Sequence, residues 1–231
     1  MGSYTKRGSY YWIDEVPFVS VTEVLKVLDK PALQRWYGKQ VYLAMLAHPT
    51  LSESEALSAP YKISDDAKAR GTTIHDIVAY WQHHQTYIDG VPDKYRGYAT
   101  AFYRWIEEYR ATLVEHERSV ASRKYGYAGT LDLLVTFDGT EKLVLIDVKT
   151  GKDIYVEALL QTAAYRQALR EEGTEVVGTG VLVLSEDATY KFQRTEADLF
   201  RPFFACKVLW DFLNSEEVTQ LRKHAKGGHR G

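Results

Sequence analysis

The stretch of residues 127–165, YAGTLDLLVTFDGTEKLVLIDVKTGKDIYVEALLQTAAY, constrains the fold of this chain more than any other. Two alternating apolar runs, residues 129–137 and 142–147, flank Asp138-Gly139-Thr140, the pattern of a β-hairpin. Each strand carries one acid that packing does not explain. Asp132 follows Gly129-Thr130-Leu131, and Asp147 ends the run Leu143-Val144-Leu145-Ile146. Acids are disfavoured inside β-rich runs, and an isolated buried carboxylate costs several kcal/mol unless a partner compensates it. Two such acids on paired strands point to a shared cation.

Two further features sit at fixed distances from the acids. Lys149 lies two residues beyond Asp147, so on a strand it projects to the same face, within reach of a metal-bound water or a phosphate. Gln161 and Tyr165, four apart on a helix expected over residues 155–170, share one helical face. Alone, such a pair reads as surface packing.

Taken in order, Gly129-x-x-Asp132, Asp147-x-Lys149 and Gln161-x-x-x-Tyr165 resemble the PD-(D/E)XK nuclease superfamily, and within it the RecB-like branch, where the glutamine–tyrosine pair is a hallmark. The likeness extends upstream. Phe18-Val19-Ser20-Val21-Thr22-Glu23-Val24-Leu25, Trp36 and Gly71-Thr72-Thr73-Ile74-His75 are similar to the N-terminal half of phage-type and mitochondrial-type RecB-like exonucleases. The resemblance implies an α/β (α+β) fold with a restriction-endonuclease-like central mixed sheet flanked by helices. It implies a helical N-terminal region, residues 1–114, covering the active site, and a nuclease core over residues 115–231, in one integrated domain.

It also implies roles. Asp132 and Asp147 bind one or two Mg²⁺ or Mn²⁺ ions, His75 adds an imidazole ligand and the Val148 carbonyl a further oxygen. Lys149 orients the attacking water. Glu117 matches the early acidic position, as a group that supports the metal ligands or binds a second metal, although Glu115 has the same strand parity and competes with it. Gln161 and Tyr165 contact the substrate strand or the active-site carboxylates. Lys152 is a loop charge or a phosphate contact, and Arg166 a candidate phosphate ligand. Hard oxygen donors suit Mg²⁺, and an imidazole in the shell shifts preference toward Mn²⁺. The implied substrate is DNA, at ends or as single strands, in replication, recombination or repair, alongside a single-strand-binding protein or recombinase. Alternatives are a structure-specific endonuclease with the same site, or a catalytically silent DNA-binding module.

Composition narrows this further. With 231 residues, 45% of them hydrophobic, the chain can bury a core as one domain. Its one cysteine, Cys206, lies in an apolar stretch and is expected to pack as a small hydrophobe. One thiolate cannot hold a four-cysteine cluster, so the resemblance is to members without an iron–sulfur cluster. A net charge of −2 means that any nucleic-acid surface must be local. No run approaches the length of a membrane helix and the start is polar, so no membrane partner and an intracellular location are expected.

Along the chain, Ser20-x-x-Glu23 has the form of a capping box, Pro31 opens a second helix, and residues 50–64 read as a polar connection. Helical signals resume from Asp65 or Asp66 to Trp81 and over residues 94–113. Residues 115–123 then read as a strand entering the hairpin. Residues 175–184 and 190–194 read as strands, 198–214 as a closing helix, and 223–231 as a frayed basic tail. Tyr10, Tyr11 and Trp12 fall outside any clear period and are candidates for base stacking.

Overall fold

The computed structural model describes residues 4–84 and 91–220, without the side chains of residues 67, 68, 70, 72–74, 76 and 79–84. The expected basic tail and the side chains of Trp81, His83 and His84 lie outside the described residues. Three short strands, β1 (Tyr4–Arg7), β2 (Tyr10–Ile13) and β3 (Val16–Ser20), open the chain. Four helices follow: α1 (Val21–Val24), extended by a 3-10 turn over Leu25–Val27, then α2 (Pro31–Ala47), α3 (Glu53–His84) and α4 (Asp93–Tyr109). The remainder is β4 (Ala111–Ser122), β5 (Tyr127–Phe137), β6 (Val144–Thr150), α5 (Val156–Glu171), β7 (Gly178–Leu184), β8 (Tyr190–Thr195) and α6 (Phe200–Leu213). No helix among the described residues is long and apolar enough to cross a membrane.

Eight strands form one mixed sheet in the order β1-β2-β3-β5-β6-β7-β8, with β4 paired to β5 off this path. β3 runs parallel to β5 and β6 parallel to β7, while the other pairs are antiparallel. Helices cover both faces, the restriction-endonuclease-like arrangement expected. On one side Val24, Leu131, Leu134, Leu145, Leu160, Leu169 and Phe203 pack α1, α5 and α6 onto the sheet. On the other, Val78, Phe102, Trp105, Leu133, Ile146 and Leu182 pack α3 and α4.

Three expectations need correction. The first 20 residues are not helical: they form the β1–β2–β3 meander, in which Tyr11, Ile13 and Phe18 pack against Ala121 and Ala128. Strands this short are set by their partners, and no periodicity in so few residues announces them. Residues 53–64 are not a loop but the start of α3. Ser52 and Glu55 form a capping box, with Glu55 N donating to Ser52 Oγ (3.4 Å) and the Glu55 carboxylate accepting from Ser52 N (2.9 Å), and the helix runs on through Pro60. α4 stops at Tyr109 because Arg110 adopts the left-handed conformation (φ 46°) and Ala111 already pairs with Phe137. At Ser20 the predicted cap forms by half. Glu23 N donates to Ser20 Oγ (3.1 Å), while the Glu23 carboxylate accepts from Ser9 Oγ (2.7 Å) and Lys26 Nζ (2.6 Å).

Candidate active site

The site lies in a fork of the sheet. β4 follows one edge of β5 from end to end. The other edge is divided: β3 pairs with Tyr127 and Ala128, β6 with Leu133, Leu134 and Val135, and residues 129–132 have no strand beside them there. Beyond the last rung, Leu133 with Ile146, the next residues on the two strands are Asp132 and Asp147. Leu145, Asp147 and Lys149 share one face of β6 and alternate with Val144, Ile146 and Val148, which pack toward α4. Strand geometry thus carries both acids and the lysine to one place.

Hydrogen bonds fix them there. Val148 N donates to Asp132 Oδ2 at 2.7 Å, closing the gap left by the diverging ladder. An extended residue sends its N–H and C=O to the same edge, so the Val148 carbonyl faces the fork as well. Lys149 Nζ donates to Asp147 Oδ1 at 2.7 Å; the Asp147 side chain is 1% exposed and that of Lys149 40%. Asp147 Oδ2 is buried and accepts no hydrogen bond. An orphaned carboxylate oxygen in a buried site is what a cation would satisfy.

Electrostatics carry the same message. Burial and the neighbouring Asp147 charge push Asp132 up to about 7, against the pull of Lys149, His75 and the Val148 amide. Burial raises Asp147 too, and Lys149 only partly offsets it. For Lys149, burial works against the ammonium, but Asp147 and Asp132 outweigh it and hold the pKa above 10.5.

His75 on α3 and Glu117 on β4 complete the cluster. His75 Nδ1 lies 3.0 Å from Glu117 Oε1 and 3.7 Å from Asp132 Oδ1. Ligand atoms of His75, Glu117 and Asp132 all lie within 4.8 Å of one another, a grouping able to hold a metal ion. Glu117 stands across from Asp132 with φ at +49°, a left-handed conformation that costs a non-glycine residue about 1–2 kcal/mol. That backbone twist accompanies the turn of its carboxylate toward His75. The His75 hydrogen bond, helped by the charges of His116 and Lys6, lowers the Glu117 pKa. Burial alone would lower the His75 pKa, yet the Glu117 bond and the Asp132 charge raise it above 6.5. Glu115, the competing acid, is engaged elsewhere, accepting from Arg118 Nη1 at 3.2 Å.

Gln161 and Tyr165 are buried (9% and 3% exposed), not on an open track. Gln161 Nε2 donates to the Tyr165 hydroxyl at 3.2 Å. Burial and the charges of Asp132 and Asp147 raise the Tyr165 pKa well above 10, so it stays a neutral phenol beside the acids. Arg166 is not placed to bind phosphate: Nε, Nη1 and Nη2 donate to the carbonyls of Val176, Glu196 and Val177, tying α5 to the loops around β7 and β8. Lys152 is exposed in the bend after β6. Tyr11 is buried, its hydroxyl 3.1 Å from Thr130 Oγ1, which in turn lies 3.3 Å from Ser119 Oγ. This hydroxyl chain beside Asp132 carries no recognisable spacing in the sequence. Tyr10 packs edge-on against Trp210, and Arg7 lies over the Trp12 ring.

Comparison with known proteins follows the same line. No curated protein matches the sequence. Among solved structures, the chain is similar to an alkaline exonuclease, LHK-Exo, from Laribacter hongkongensis, with 15% identity over 90% of this chain and 94% of that one and a TM-score of 0.45. LHK-Exo in complex with dAMP gives 16% identity over the same shares and the same TM-score. SSO0001 gives 12% identity over 62% of this chain and 72% of that one, with a TM-score of 0.35. The family model of the PD-(D/E)XK nuclease superfamily matches residues 22–227, which take in the helices from α2 to α6 and the strands from β4 to β8, and the chain belongs to that superfamily.

Proposed function

We propose that this protein is a Mg²⁺- or Mn²⁺-dependent deoxyribonuclease, an exonuclease acting on DNA ends or single strands. One observation carries the reading. Two buried carboxylates, Asp132 and Asp147, meet at the fork with a lysine ammonium fixed between them and solvent, and one carboxylate oxygen is left without a partner. Two such acids with Glu117 beside them carry more negative charge than Lys149 alone neutralises, and a bound divalent ion would offset it.

His75, Glu117, Asp132 and Asp147, with the Val148 carbonyl, would hold one or two divalent ions. A bound ion supplies Lewis acidity and lowers the pKa of a bound water. The chain's own groups do the rest. The Val148 amide seats Asp132. Lys149, held by Asp147, presents an ammonium that orients the attacking water and offsets charge building on the phosphoryl oxygens. Gln161 fixes the neutral Tyr165 hydroxyl against the acids, which keeps their geometry and leaves its proton free to donate. Lys152, exposed three residues past Lys149, extends positive charge toward the flanking phosphate. The imidazole favours Mn²⁺ over Mg²⁺. The exonuclease assignment rests on the Gln161–Tyr165 pair and the His75 segment. A role in replication, recombination or repair, beside a single-strand-binding protein or recombinase, rests on the same resemblance.

The test is digestion of linear DNA labelled separately at its two ends, single- and double-stranded, with each metal, beside closed circular single strands. Release of mononucleotides or short products from one end, with circles intact and activity lost in Asp132→Ala and in Lys149→Ala, is expected. Cleaved circles would instead make it an endonuclease. Absence of hydrolysis by folded protein with both metals would remove the enzymatic reading.

A further inference from the structure

Residues 129–132 of β5 carry Asp132, yet they have a strand on one edge only. On the other edge β3 stops pairing at Ala128 and β6 begins at Leu133. An acid that is to share an ion with groups from α3, β4 and β6 has to be held to within about 0.5 Å of its working position. The Val148 amide fixes one oxygen of the carboxylate. What steadies the backbone that carries it is packing from above and below the sheet.

Side chains alternate along this stretch, and each face meets a tyrosine. From the α5 side the Tyr165 ring rests on Gly129. From the other side Tyr11 of β2 packs with Ala121 and Ala128, and its hydroxyl lies 3.1 Å from Thr130 Oγ1. The register sets Ala121 across from Ala128 and Ser119 across from Thr130, and the next rung on that face is Glu117 with Asp132. Ser119 Oγ lies 3.3 Å from Thr130 Oγ1. Three hydroxyls, from β2, β4 and β5, thus converge one rung from the two acids. Only that of Tyr11 comes from the edge where the ladder is interrupted, since β2 lies beyond β3 in the sheet. Tyr11 is 5% exposed and paired with Phe18, so its ring has no open face on which a base could stack.

We propose that Tyr11 is a positioning residue for the metal site, acting through Thr130 to hold the Asp132 segment of β5 against the Tyr165 ring on its opposite face. The role rests on the nuclease reading above and adds to it a residue from the N-terminal meander. The aromatic ring alone satisfies the packing on Ala121 and Ala128. The hydroxyl is the part that reaches the acid-bearing strand, and it is the part the test removes.

Tyr11→Phe keeps the ring and deletes the hydroxyl, and Thr130→Val deletes its partner with little change of shape. In each full-length variant, Mn²⁺ affinity by isothermal titration should fall about fivefold to tenfold, with kcat on single-stranded DNA about tenfold lower and KM within about twofold of the parent. The double variant Tyr11→Phe/Thr130→Val should be no worse than either single one, because both remove the same contact. All three should melt within about 4 °C of the parent. Tyr127→Phe is the control. It deletes a buried hydroxyl that donates to the Ala164 carbonyl at 3.0 Å, and its Mn²⁺ affinity should match the parent's. Parental Mn²⁺ affinity and kcat in Tyr11→Phe, additive losses in the double variant, a raised KM with unchanged kcat, or an equal loss of Mn²⁺ affinity in Tyr127→Phe overturns the proposal. A parent that neither binds Mn²⁺ nor cleaves DNA would instead remove the nuclease reading, and this role with it.

Discussion

Tyr165 lies over Gly129 so closely that a Cβ on Gly129 would come within 2.4 Å of ring carbon Cε1 and 2.8 Å of the hydroxyl oxygen. The glycine of the Gly129-x-x-Asp132 pattern is therefore a seat for the tyrosine of the Gln161-x-x-x-Tyr165 pattern. Gly129→Ala should destabilise the fold by about 1–3 kcal/mol through overpacking and should displace the ring from the acids. In a double-mutant cycle with Tyr165→Ala, read by urea unfolding, the costs should be clearly less than additive. Additive costs would mean that the two residues do not meet.

Asp147 is the most deeply buried charge at the site and has an unpartnered oxygen. Without metal it works against the fold. Asp147→Asn should raise the melting temperature of the metal-free protein by a few degrees, because Lys149 keeps access to water and to Asp132. The same change should cancel the stabilisation that Mn²⁺ gives the parent and reduce hydrolysis at least 100-fold. Calorimetry with EDTA and with Mn²⁺ separates the two effects.

The direction of pH dependence follows from the raised carboxyl. Asp132 titrates at about 7 in the folded chain and ordinarily at 3.8, so between those values the native state binds the extra proton. Its contribution is full below 3.8 and is lost as pH rises through about 7. His75, also raised, acts in the same direction above 6.5. Metal-free protein should lose stability from about pH 4 to 8. With saturating Mn²⁺ the trend should reverse over that window, because ion binding expels these protons. Melting curves across pH with and without metal check both slopes.

Arg166 belongs to the fold. Three of its N–H groups serve backbone carbonyls at 3.0, 3.1 and 3.3 Å. Arg166→Ala should cost about 2–3 kcal/mol of stability by leaving carbonyls unsatisfied. The KM for DNA should stay within twofold of the parent in protein shown to be folded. A large rise in KM without loss of stability would restore a phosphate-binding role.

How far the sequence led depended on the range of each constraint. Hairpin, acids and lysine were readable because alternation and a two-residue spacing determine where a strand's side chains point. Gln161 and Tyr165 were paired by helical spacing, but their burial was not, since it depends on Gly129 in a different element. Arg166 shows the limit of reading charge: its three partners lie 10, 11 and 30 residues away. The β1–β2–β3 meander escaped because four- and five-residue strands carry too few alternations. The start of α3 does carry a local signal, since Ser52-x-x-Glu55 repeats the Ser20-x-x-Glu23 pattern.

The choice between Glu115 and Glu117 could not come from parity, which is the same for both, and it yields the most discriminating prediction. Between Leu113 and Glu115 the register of β4 against β5 slips by one residue, and Glu117 then adopts its left-handed conformation. These two irregularities coincide with a Glu117 carboxylate at His75 and a Glu115 carboxylate at Arg118. Glu117→Gln should weaken Mn²⁺ binding about tenfold or more and lower kcat, with little loss of stability, since it removes a charge from a half-exposed side chain. Glu117→Gly should keep the backbone, relieve its strain and leave the protein at least as stable, yet equally poor in metal binding. Glu115→Gln should leave Mn²⁺ affinity and kcat within twofold and change stability by at most about 1 kcal/mol. Isothermal titration with Mn²⁺ beside single-turnover cleavage distinguishes the two acids. If Glu115→Gln loses metal and Glu117→Gln does not, the cluster of His75, Glu117 and Asp132 is not where the ion binds.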